Sequence, residues 1–152
     1  MNWFEVPSVK KAKKKRRPQA PRPAPRSLEG VDLPAGQRVV CDYPPAACSP
    51  NRRDRWARIK AAKRYRATCF ALALATKVKL PADGEIAVRL DIFPPDRSAR
   101  DDDNAEAAFK AGRDGVAEAL RVDDARFRVQ RVMREEPLSC IVVTFLEEAE
   151  HG

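Results

Sequence analysis

Three consecutive aspartates, Asp101, Asp102 and Asp103, stand directly before Asn104, and a second acidic pair, Asp123 and Asp124, closes the stretch that follows. In an extended segment Asp101 and Asp103 project to the same side, about 6.6 Å apart along the chain, with Asp102 opposite. Carboxylate oxygens so spaced suit hard divalent cations, and a pair of cations about 3.5–4 Å apart can be bracketed between them with a third carboxylate opposite. Such a site hydrolyses phosphodiesters. The cations generate a hydroxide nucleophile and neutralise charge on the leaving 3′ oxygen, and a nearby lysine adds positive charge. Lys110 is the candidate for that lysine. The same aspartates have a plainer reading, because Asp and Asn before a helix are ordinary N-caps and acids in a first turn complement the helix dipole. Capping accounts for one or two acids, whereas three in succession stand here behind Arg97 and Arg100. Residue chemistry alone leaves both readings open.

The segments around these residues must supply the scaffold. Asn104 to Leu120 is rich in Ala, with Glu106, Glu118 and Lys110 among them, and reads as a helix. Before it, Glu85 to Phe93 alternates Ile86, Val88, Leu90 and Ile92 with Ala87, Arg89 and Asp91, the pattern of a half-buried strand. Arg38 to Asp42, Arg126 to Met133 and the β-branched run Ser139 to Leu146 read as further strands. Between Pro50 and Pro81, the positions Trp56, Ile59, Ala62 and Tyr65 recur every three residues and continue into Cys69, Phe70, Leu72 and Ala73. That pattern predicts a helix from about Asp54 to Lys77 with these residues on one face. The order β-α-β-α-β-β implies an α+β domain, one mixed sheet with two main helices, over residues 36–148.

The formal charge of +8 is unevenly spread. Lys10 to Arg26 holds nine basic residues and no acid, which leaves 21 basic against 22 acidic residues elsewhere. Like charges mixed with five prolines between Pro7 and Pro25 cannot bury a core, so residues 1–35 are expected to form a disordered basic tail, an electrostatic arm for nucleic acid or a solubilising extension. A second cluster, Arg52 to Arg66, holds eight basic residues and one acid, Asp54. Such a face is often merely solvated, but its density suits phosphates. Arg52, Arg53, Arg55, Arg58, Lys60, Lys63 and Arg64, with Arg97 and Arg100, are the candidate DNA contacts.

Other functions are disfavoured. The longest apolar run, Phe70 to Ala75, falls far short of the roughly 18 residues needed to cross a bilayer, and no apolar signal core follows the basic run, so a cytosolic protein without a membrane partner is expected. Cys41, Cys48, Cys69 and Cys140 form no CxxC pair and the single histidine is His151, so reduced, mostly buried thiols are expected rather than a zinc site.

The text PPDRSARDDDNAEAAFKAGRDGVAEALRVDDARF, with the upstream YPPAACSPNRRDRWARIKAAKRYR, resembles the RusA family of Holliday junction resolvases over roughly Arg38 to Leu146. That family has a PPD-type turn and an arginine before a DxDN helix start, with a second DD after the helix. The resemblance implies a homodimeric, Mg²⁺-dependent endonuclease (with Mn²⁺ substituting) that cuts four-way junctions or other branched DNA in recombination and repair. It places Asp101, Asp103 and Asp124 on the family's essential acidic positions and Asn104 on its helix start. One departure is plain. The family's type member has a catalytic lysine four residues after the second motif aspartate, where this chain has Ala107; Lys110, seven residues after Asp103, returns to nearly the same helix face.

An unbroken helix from Asn104 to Leu120 would be about 25 Å long, and four residues return at most about 14 Å. The three aspartates therefore meet only if the helix breaks, for which Gly112 and Gly115 are the weak points, or if the partner subunit supplies Asp124. Two other readings use the same features: a non-catalytic nucleic-acid-binding module built on the tail and the Arg52–Arg66 helix, and a metallonuclease acting on RNA.

Overall fold

Period-two alternation makes Ile86–Phe93 (β2) a strand, with Ile86, Val88, Leu90 and Ile92 all nearly devoid of exposure on one face. The computed structural model describes residues 28–51, 53–96 and 102–147, apart from the side chains of residues 102 and 103. Around β2 lie Gly36–Asp42 (β1), Arg55–Leu74 (α1), Asp102–Ala119 (α2), Phe127–Met133 (β3) and Cys140–Leu146 (β4), the β-α-β-α-β-β order expected of an α+β domain. Most of the expected basic tail lies in residues 1–27, outside the described residues. Of its last residues, the carbonyls of Asp32 and Pro34 accept hydrogen bonds from Arg134 and Arg38.

The sheet is mixed, in the order β1-β4-β2-β3. β4 is antiparallel to both β1 and β2, while β3 is parallel to β2, so β1, β2 and β3 all point the same way. Each helix is a crossover between parallel strands, α1 from β1 to β2 and α2 from β2 to β3. Both helices therefore run back against the strands and begin at the same edge of the sheet, where β1 and β2 end. Tyr43-Pro44-Pro45 and Pro94-Pro95-Asp96 leave the sheet at that edge. The β3–β4 connection passes there too, with Arg134 N–H donating to the Ile92 carbonyl at 2.9 Å and Ser139 N–H to that of Pro94 at 3.1 Å.

The core lies between the helices and one face of the sheet, where Val39, Cys41, Leu90, Ile92, Ile141 and Val143 meet Tyr65, Cys69, Ala73, Phe109 and Val116. The buried stripe of α1 is Tyr65, Cys69 and Ala73, each four residues from the next, and Tyr65 donates its hydroxyl to the Asp42 carbonyl at 2.6 Å. Trp56 and Ile59 do not share that stripe, contrary to the three-residue pattern; they are 73% and 45% exposed. An α-helix turns by about 100° per residue, so steps of three drift by about 60°, and Trp56 ends up opposite Tyr65.

The two helices touch closely. A Cβ on Gly115 would collide with the Arg66 carbonyl oxygen, and one on Gly112 would stand 2.7 Å from the Tyr65 ring and 3.0 Å from the Cys69 sulfur. The glycines expected as weak points instead let α1 approach, and α2 runs unbroken past both. An interior glycine costs a helix about 1 kcal/mol, offset here by contact that a larger residue would prevent.

The far face of the sheet holds a charged cluster. Asp91, fully buried, accepts from Arg89 Nη2 at 3.0 Å and Arg134 Nη1 at 3.3 Å, and the Arg134 guanidinium lies 5.4 Å from the centre of the Phe93 ring. All four cysteines are free, and three are buried, as expected.

Candidate active site

α1 begins with Asp54, the lone acid of the second basic cluster, serving as its N-cap: the carboxylate accepts from Ala57 N–H at 3.1 Å. From Arg55 to Leu74 no acid follows, and Arg55, Arg58, Lys60, Lys63 and Arg64 form no ion pair among the described residues. Some other basic residues are matched: Arg66, further along α1, with Glu118 at 2.6 Å, Arg128 with Glu85 at 2.7 Å, and Arg131 with Glu106. Of the other candidate DNA contacts, Arg53 is exposed just before the helix, and Arg52, Arg97 and Arg100 lie outside the described residues.

α2 begins at Asp102, two residues earlier than expected, so residues 102 and 103 belong to its first turn rather than to an extended segment. Asp and Glu are favoured in a first turn by the unpaired amides and the positive end of the helix dipole. The side chain of Asp103 and all of Asp101 lie outside what is described.

Because the helices run parallel, the unneutralised part of α1 lies alongside the first half of α2. Arg58, Ile59 and Ala62 face Ala107, Lys110 and Ala111 across a cleft of about 320 Å³ that reaches Cys48, Pro50 and Asp114. Ala107 and Lys110, the candidate lysine, thus share one cleft, and Lys110 is exposed there.

Asp124 stands elsewhere. After α2 the chain turns back through Arg121, whose φ is +58°. Arg121 N–H donates to the Glu118 carbonyl and Val122 N–H to that of Ala117, a Schellman-type close with arginine where glycine is usual. Asp123 then caps a short 3-10 turn, Asp124–Arg126, by accepting from Ala125 N–H at 2.9 Å. Asp124 lies beside the Asp114 carboxyl; burial first, and then this neighbouring carboxylate, raise the pKa of Asp114. Asp114 is eleven residues along α2 from Asp103, roughly 16 Å at 1.5 Å per residue. Asp124 therefore stays about three turns from the DxDN start of its own chain, and the helix break that would have united them is absent. Sequence reasoning missed the Asp114–Asp124 pair, since Asp114 has no acidic neighbour to single it out.

Among the described residues no three metal-ligating side chains converge, and no helix is long and apolar enough to cross a membrane. No protein-family model matches the chain. Over 104 residues it is 35% identical to an uncharacterized protein of Xylella fastidiosa, an alignment covering 66% of this chain and 68% of that protein. At that identity and coverage, the chain belongs to the same protein family as its Xylella fastidiosa relative.

Proposed function

We propose that this protein is an Mg²⁺-dependent endonuclease of the Holliday junction resolvase type, hydrolysing phosphodiesters in branched DNA during recombination or repair. One observation supports the reading: the helices run parallel, so the cations of α1 that lack ion-pair partners among the described residues lie beside the first half of α2, the helix that begins within the Asp101–Asn104 run of the sequence. The donor set is hard oxygen, which suits Mg²⁺ or Mn²⁺ over softer metals. Bound at Asp101 and Asp103, Mg²⁺ would lower the pKa of a water and neutralise charge on the phosphate. The residues do the rest. Arg55, Arg58, Lys60, Lys63 and Arg64 bind the DNA backbone, and Lys110 lends positive charge from the adjoining cleft. Asp124, held three turns away in its own chain, completes the site from the partner of a homodimer.

Cleavage of a synthetic four-way junction, beside linear DNA duplex, single strand and an RNA duplex, by wild type and Asp103→Asn with Mg²⁺ or EDTA, tests the reading. The expected result is paired, metal-dependent nicks in the junction, lost in the variant while binding persists. Binding without cutting in any condition would leave a nucleic-acid-binding module whose aspartates serve as caps, and cleavage confined to RNA would replace the substrate.

A further inference from the structure

Trp56 is 73% exposed, and Ile59, one turn on, is 45% exposed. A protein seldom leaves an indole in water when the same helix offers buried positions such as Tyr65 and Cys69. The surroundings narrow the occupant. Arg55, Arg58, Lys60, Lys63 and Arg64 interleave with the two apolar side chains and have no ion-pair partner among the described residues. A second copy of the chain docking here would set five cations against five. A bilayer surface would gain little from two apolar side chains, where interfacial helices bury a whole face. A nucleic-acid strand offers both complements, phosphates for the cations and flat aromatic faces for the indole.

Continuous duplex keeps its base faces stacked and hidden. A strand crossing or a frayed end exposes them. We infer that Trp56, backed by Ile59, is a stacking platform for an unpaired base of branched DNA, and that it makes this protein prefer branched or single-stranded DNA to continuous duplex. The inference rests on the DNA reading above but not on catalysis. The cations of α1 grip the strand whatever its sequence, while Trp56 reports whether a base face is available. Discrimination thus comes from structure rather than from base edges.

The chain has two tryptophans, Trp3 and Trp56. In full-length Trp3→Phe protein, Trp56 is the single indole reporter. Titration with a thymidine oligonucleotide or a four-way junction should quench its emission saturably, and a closed duplex of equal length should quench it much less. Trp56→Ala should weaken binding to the junction and the oligonucleotide by about 5- to 150-fold, the range for losing one base–aromatic stack, and duplex binding by less than about twofold. Trp56→Phe should recover most of the loss. Unchanged emission with junction and oligonucleotide, equal losses on all three DNAs, or stronger quenching by phosphatidylserine vesicles than by DNA would overturn the inference. Cleavage by wild type without quenching would sink the platform and leave the nuclease. Quenching without cleavage would sink the nuclease and leave the platform.

Discussion

Gly115 of α2 lies directly against the backbone carbonyl of Arg66 in α1, so that no side chain, not even a methyl, fits between the helices there. That contact sets how near the basic helix stands to the one that carries the DxDN start. Gly115→Ala must push the helices apart. The expected cost is about 1–3 kcal/mol, the usual range for overpacking, read as a lower urea midpoint at unchanged slope. A variant as stable as wild type would mean that the helices separate freely.

Arg121 bears the opposite strain. Its φ of +58° closes the Schellman turn after α2, a conformation that costs a residue with a Cβ about 1 kcal/mol or more. Arg121→Gly should raise stability by about 0.5–1 kcal/mol, visible as a higher melting temperature, provided the exposed arginine makes no compensating contact. A loss of stability would show that it does.

Asp91 neutralises two arginines from a fully buried position. Asp91→Ala leaves Arg89 and Arg134 crowded together without their carboxylate, at a cost of about 3 kcal/mol, the lower end for a broken buried pair because both arginines keep some solvent contact. Asp91→Leu with Arg89→Met, which removes the carboxylate and one of its two arginines from β2, should recover part of the loss. A double variant no better than the single one would assign the cost to packing.

The Asp114–Asp124 pair makes stability depend on pH. The folded pKa of Asp114 is raised, so folding favours its protonated form. Its contribution is present below the ordinary carboxylate range and is lost as pH rises through the raised value. Asp114→Asn should therefore stabilise the protein at neutral pH by about 0.5 kcal/mol, a figure reduced by solvent screening. The gain should vanish in acid. Thermal melts across pH 3–8 check both the sign and the window, and a gain that grew toward low pH would reverse the assignment.

Separation of Asp103 from Asp124 gives a complementation test. If each active site takes Asp103 from one subunit and Asp124 from the other, neither Asp103→Asn nor Asp124→Asn protein cuts alone. Unfolded and refolded together, half the dimers are mixed and hold one intact site, which restores roughly a quarter of the sites as single nicks. Silence in the mixture, with each parent still binding junctions, would mean that Asp124 takes no part in the chemistry.

Local patterns carried most of the fold. Alternation through Ile86, Val88, Leu90 and Ile92 located β2 and its core face, and Pro50, Asp54 and Pro81 bounded α1. What escaped depended on contacts far apart in the chain or on rotation along a helix. Asp91 sits on the face of β2 that alternation assigns to solvent, and its partner Arg134 is 43 residues away. Trp56 reads as core until the drift of a three-residue period is followed for nine residues. Gly112 and Gly115 carry the usual mark of a weak helix, and only the approach of α1 explains them. Of the site, the acidic start of α2 and the cations of α1 were visible as clusters. The link between Asp114 and Asp124 arises because the chain reverses at Arg121, which no local pattern announces.

Leu146 of β4 pairs with Gly36 of β1, and the strand inserts between β1 and β2. During synthesis, therefore, β1 waits for about a hundred residues before its neighbour β4 is made, and β2 and β3 can zip together only as a pair lacking the strand that joins them to the rest. Loop closure over that distance slows folding, and the waiting strands expose Val39, Val40 and Ile92 to other chains.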